Sequence, residues 1–280
     1  MIVERVQTSD NISDALERLK NKRWYYLAVP GLGDGETDTV VEYIKEQRTQ
    51  YHKTFKAVLP LAAADNEGII NFATDNIKIA AKTYTTAEFC CRIAGILAGL
   101  PLNRSATYYT LPEVESITES ETPDDDVDNG KLILINDGTK IKIARGVNSL
   151  TTATEDKGED FKKIKIIEAV DMIRDDIRAT FEDEFVGKVE NSYDNKIVFI
   201  AAVNKYFKDL ANRGVLYDKY DNKAEIDIDE TREWLSKTRD VSSWDDEKIK
   251  TANTGTNVFV RASIQIQDAI EDLKFGIYIE

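Results

Sequence analysis

Two apolar segments, WYYLAVP (residues 24–30) and FKAVLP (residues 55–60), flank a helix-length stretch, and this arrangement limits the fold more than any other feature. A strand apolar on both sets of alternate positions has no face left for water, so it belongs in a sheet covered on both sides. Between the two segments, GLGDGETD turns into a helix whose inward residues are Val40, Val41 and Ile44. Upstream, Asp10-Asn11-Ile12-Ser13 opens a helix to about Asn21, with Leu16 and Leu19 on its buried side. Residues 69–79 supply further strand around Phe72, and TTAEFCCRIAGILAG (residues 85–99) reads as an apolar helix capped by Thr85 or Thr86. The order predicts an α/β layer with a largely buried sheet.

The second half changes character. EVESITESETPDDDVDNG (residues 113–130) is polar and acidic, and reads as a mobile surface excursion that adds little to the core. KLILI-NDGT-KIKIA follows as a hairpin around Asn136-Asp137-Gly138. FKKIKII (residues 161–167) reads as short and extended. Val170, Ile173, Ile177 and Phe181 then build one helix face, and Ile200, Val203, Phe207 and Leu210 another, ended by Asn212-Arg213-Gly214. A short strand around residues 226–228 and a small helix around Trp234 come next. VFVRASIQI (residues 258–266) and LKFGIYI (residues 273–279) both alternate in the manner of strands. The fold class is therefore mixed α/β. An α/β domain over residues 1–152 precedes an α+β domain over residues 153–280 that ends in a strand-like arm.

With 37 Lys and Arg against 51 Asp and Glu, the chain carries a net charge of −14, which argues against a nucleic-acid partner. The start has no basic-then-apolar leader, and residues 89–102 are too short and too interrupted by Arg92 to span a bilayer. Cys90 and Cys91 are adjacent, and no CxxC pattern occurs, so neither a disulfide framework nor a cysteine zinc site is expected.

Candidate chemistry is sparse. The turn Gly31 to Gly35 carries GxGxG between a strand and a helix, where dinucleotide folds bind phosphate. It is incomplete, however, and Pro30, Asp34, Glu36 and Asp38 oppose a pyrophosphate. A small-molecule-binding α/β enzyme using this turn is the alternative reading. His52 is the only histidine, so any Ser-His or Cys-His mechanism must use it, and a two-histidine metal site is excluded. PDDDVD lacks the spacing of a calcium loop. Gly95 and Gly99 read as close-packing positions. No catalytic residue, cofactor or metal is expected.

NDGTKIKIARGVNSLTT resembles a segment of the contractile tail sheath proteins of myophages, phage-like elements and R-type bacteriocins. The resemblance extends to YTTAEFCCRIAGILAGLPLNRSATY, with Arg92-Ile93-Ala94-Gly95 and Pro101-Leu102-Asn103, to KIIEAVDMIRDDIR and to DAIEDLKFGIYI, in order along the whole chain. It implies a non-enzymatic subunit of hexameric rings stacked around a tail tube, with tube protein, baseplate and tail terminator as partners. It places the particle in a virion or phage-like tail assembled in the bacterial host cytoplasm. It also implies that terminal arms add strands to neighbouring subunits, with Leu273, Phe275, Ile277 and Ile279 as the C-terminal contact. The first domain of this family is likened to the subtilisin fold, and with His52 as the lone histidine no protease chemistry carries over. Arg145, Gly146, Asn148 and Ser149 are expected to build a structural loop: Arg145 reaches a carboxylate or carbonyl, Gly146 permits a turn, and Asn148 and Ser149 close local hydrogen bonds. Family members carry a further N-terminal segment before the equivalent of IVERV, so the chain reads as a truncated form, expected to be mostly monomeric.

Overall fold

The computed structural model describes residues 1–6, 11–33, 35–154 and 157–279. The chain packs as two compact units, Met1–Asp171 with Ala269–Glu280, and Met172–Asp268.

In the first unit, Asn11 caps α1 (Ile12–Leu19): its side chain accepts from the Asp14 N–H, and the Asp14 carboxylate accepts from the Asn11 N–H. Asp10 lies outside the described residues. Strand β1 (Tyr26–Ala28), helix α2 (Glu36–Thr49), strands β2 (Lys56–Pro60) and β3 (Ile69–Phe72), the hairpin β4 (Ile77–Ile79) and β5 (Lys82–Tyr84), and helix α3 (Thr86–Gly99) follow. Next come α4 (Pro123–Asp128), β6 (Lys131–Leu132), and the hairpin β7 (Leu134–Asn136) and β8 (Ile141–Ile143). The main sheet is parallel, in the order β1-β2-β3-β6. Ala57 and Leu59 of β2 pack with Val40, Val41 and Ile44 of α2, while Val58 between them packs with Phe89 and Ile93 of α3. The sheet is thus covered on both faces, as the continuous apolar runs require.

Helix α5 (Ile164–Glu184) begins in the first unit, and the division falls within it, after Asp171. The second unit contains its C-terminal part, α6 (Tyr193–Asn212), β9 (Lys223–Ile226), α7 (Ile228–Ser236), α8 (Asp246–Thr251) and β10 (Val260–Ser263). Its core joins Phe199, Ile200, Val203, Phe207 and Leu210 of α6 to Ala224 and Ile226 of β9. Phe181 and Phe185 each meet Phe199 edge-on at 5.1 Å between ring centroids.

The fold class is mixed α/β, as the sequence predicts, with local corrections. Segment 24–30 is half-buried rather than buried, because β1 is an edge strand. Segment 161–167 is not extended: a 3-10 turn (Glu159–Lys162) leads into α5 at Ile164, whose apolar residues Ile164 and Ile167 share the three-residue spacing that continues along the helix. Segment 113–130 is anchored: Val114 is buried, Lys78 and Ser116 form a bridge, and residues 123–128 are helical. The alternating segment 273–279 joins no ladder.

Candidate assembly interface

The loop after β8 is tied down on both sides. The Ala144 N–H donates to the Ile133 carbonyl at 2.9 Å, and the Gly146 N–H to Thr107 Oγ1 at 3.0 Å. A Cβ on Gly146 would lie 3.3 Å from both Ala106 Cβ and Ser105 Oγ, so only glycine fits there without displacement. Asn148 is fully buried; its Nδ2 donates to the Phe161 carbonyl at 2.7 Å and its Oδ1 accepts from the Leu150 N–H at 2.9 Å. Ser149 Oγ donates to the Asn66 carbonyl at 2.9 Å, and the Ser149 N–H to the Ile69 carbonyl at 2.8 Å, beside β3. Asp65 Oδ1 then accepts from the Thr151 and Thr152 N–H groups at 2.7 and 2.9 Å, which hold its carboxyl far below the usual carboxylate range. The polar residues of this loop are consumed by the fold.

Arg145 is the exception, because it reaches the end of the chain. Its guanidinium donates to Glu271 Oε2 at 2.9 Å and to Asp272 Oδ1. Beyond this pair the chain is bare: Leu273 is 85% exposed, Phe275 78%, Ile277 76% and Ile279 94%. The structure thus joins Arg145 to Glu271 and Asp272, at the start of a terminal segment whose apolar residues are exposed.

In the second unit, a groove of about 340 Å³ runs between α5, α6 and β10. Ile177, Phe181, Phe199, Val203, Val258 and Val260 line it, with Arg174, Arg178 and Arg261 among its walls. The edge beside it can be assigned from hydrogen bonding. The Ala224 N–H donates to Asn204 Oδ1 at 2.6 Å, and Asn204 Nδ2 donates to the Ala224 carbonyl at 3.1 Å, so a side chain covers the outer edge of β9. Ala224 is the register partner of Ala262, which therefore turns its own N–H and carbonyl away from β9, as does Val260 two residues before it. The outward polar edge of β10 lies beside an apolar groove.

A buried ionic cluster escaped the sequence reading. Arg48 donates to both Asp171 oxygens at 2.9 and 3.1 Å, and Lys56 Nζ donates to Asp171 Oδ2 at 2.9 Å. Lys56 also pairs with Glu168 at 3.3 Å, whose carboxylate accepts from the Tyr26 hydroxyl, and Glu67 pairs with Arg48 and Lys157. Burial alone would push the Asp171 carboxyl up; the Lys56 and Arg48 charges outweigh it and hold it below the usual range. A Cβ on Gly68 would lie 2.5 Å from Arg48 Cδ, so the glycine makes room for this side chain. The cluster fixes the first turns of α5 to β2.

The remaining candidates are not gathered into a site. At the Gly31 to Gly35 turn, the Gly33 N–H donates to Glu36 Oε2 at 2.8 Å, so the protein's own carboxylate takes an amide that a phosphate would need. Asp34 lies outside the described residues. His52 is exposed just after α2, and burial pushes the Cys90 thiol up to about 12, away from a reactive thiolate. Asp126 accepts from Ser120 Oγ at 2.6 Å and Lys131 Nζ at 2.7 Å, which gives the acidic segment a structural use. Among the described residues no helix is long and apolar enough to cross a membrane.

Residues 6–149 match the profile of the phage tail sheath protein central domain, and residues 156–280 that of the phage tail sheath C-terminal domain. The tail sheath protein of Clostridium phage phiCD119 is 37% identical over 280 residues, which cover 99% of this chain and 78% of that protein. The sheath tail protein from Desulfitobacterium hafniense has a similar fold, with TM-score 0.69 and 23% identity over 76% of this chain and 52% of its own. The chain therefore spans about half the length of that solved relative. The helical sheath of the anti-feeding prophage in its contracted state gives TM-score 0.66 at 12% identity, over 99% of this chain and 76% of its own. By these matches and its fold, the chain belongs to the phage tail sheath protein family, and its role is that of a structural sheath protein.

Proposed function

We propose that the chain is a non-enzymatic subunit of a contractile sheath that polymerises around a tail tube and shortens to drive the tube through a target cell envelope. Copies stack as hexameric rings linked by N- and C-terminal arms, with tube protein, baseplate and tail terminator as further partners. The setting is the tail of a phage or phage-like particle assembled in the bacterial cytoplasm, and the sequence domains are 1–152 and 153–280. The net charge of −14 disfavours nucleic acid as a partner and keeps the chain by itself mostly monomeric at micromolar concentration.

The observation that carries this reading is the exposure of Leu273, Phe275, Ile277 and Ile279 on an alternating segment. Such a strand is an aggregation hazard unless another copy covers it. Burying Phe275, Ile277 and Ile279 would contribute roughly 1.5–3 kcal/mol each, as an upper estimate. The receiving surface is the outer edge of β10 in a second copy. There the backbone of Val260 and Ala262 offers ladder bonds and the neighbouring groove takes the apolar side chains. A labelled peptide of residues 269–280 tests this by fluorescence anisotropy. It is expected to bind saturably, and to lose binding either with Ile277→Asp in the peptide or with Ala262→Pro in the chain, which removes an outward N–H. No saturable binding, or equal binding by both variants, would contradict it.

A further inference from the structure

Three facts meet at the root of the arm. Glu271 is the last part-buried residue of the chain; every described residue from Asp272 to Ile279 is exposed. Arg145 holds Glu271 and Asp272 together, one carboxylate on each side of its guanidinium fork. The backbone beneath Arg145 is fixed by the Ala144 N–H on Ile133, the Gly146 N–H on Thr107, and the Ile164 N–H donating to the Gly146 carbonyl at 2.9 Å.

We infer that Arg145 is the positioning residue of the C-terminal arm: it clasps Glu271 and Asp272 against a rigid loop and so fixes the point from which Leu273 onward swings free. Without the clasp, the free segment would start at Ile270, which is 99% exposed and follows the anchored Ala269. Its tip would then sweep a larger volume, and its effective concentration at a neighbour's edge would fall. The clasp explains why an arginine occupies this position, from which the guanidinium reaches two carboxylates at once. A lysine, with a single point charge, cannot bridge two carboxylates in the same fixed geometry. The purpose of the clasp rests on the arm-exchange reading above; its existence does not.

The test is a nitroxide at Leu273→Cys in a Cys91→Ser background, Cys90 being buried, read by electron paramagnetic resonance on single subunits. Two partly exposed ion pairs together restrain the label by a factor between about 2 and 30. Arg145→Gln and the double variant Glu271→Gln/Asp272→Asn are each expected to raise the ratio of mobile to restrained label by such a factor, with Arg145→Lys in between. Melting temperature is expected to stay unchanged in the double variant. Added salt should mobilise the unsubstituted arm but not the variants. An unchanged spectrum in Arg145→Gln overturns the inference, as does a change in Arg145→Gln that the double variant fails to reproduce. Failure of arm exchange would appear in peptide binding and leave this spectrum as expected, so the two ideas fail separately.

Discussion

Asp171 bridges Arg48 and Lys56 inside the protein, all three side chains being buried, and its removal should be costly. Asp171→Asn removes the carboxylate that bridges the two buried cations, leaving Arg48 with Glu67 and Lys56 with Glu168, and is expected to destabilise the chain by up to roughly 3–5 kcal/mol in urea unfolding. The pH dependence has a definite sign. The folded carboxyl lies below its unfolded value, so its stabilisation is present above about pH 4 and is lost as pH falls through the folded value. The unsubstituted chain should therefore lose stability steeply in acid, and Asp171→Asn should lose less over the same range. None of this was legible in the sequence, because Arg48 and Asp171 are 123 residues apart and neither stands in a recognisable pattern. Arg145 was partly legible: its type implied a carboxylate or carbonyl partner, but its spacing could not point to Glu271.

Elements were legible where periodicity and caps agreed. The Thr85 side chain accepts from the Glu88 N–H and the Glu88 carboxylate from the Thr85 N–H, the capping box that starts α3. Thr85→Ala is expected to lower stability by about 1 kcal/mol, measured by thermal or urea unfolding. Where local preference and tertiary packing disagreed, the sequence misled. FKKIKII is rich in β-branched residues and suggests a strand, yet burial of Ile164, Ile166 and Ile167 as part of α5 outweighs that modest preference. The acidic segment 113–130 failed for another reason. It is anchored by burial of Val114 and by the bridge from Ser116 to Lys78 of β4, a partner strand that composition does not reveal.

For the whole molecule, the matched sequence segments and the compact units describe different things. The former end at residue 149 and resume at 156, whereas the units part after Asp171, inside a helix whose first turns are held by the ionic cluster. Pattern along a chain marks elements; which elements share a core depends on contacts distant in sequence. The proposed assembly depends on the terminal arm reaching a neighbouring copy. It is tested most directly on Ile277→Asp, by comparing thermal unfolding with sedimentation from micromolar to millimolar concentration. Since Ile277 is 76% exposed, unchanged melting is expected, together with loss of the self-association that the unsubstituted chain develops as concentration rises. An Ile277→Asp chain that melts several degrees lower, or that associates as well as the unsubstituted one, would contradict it.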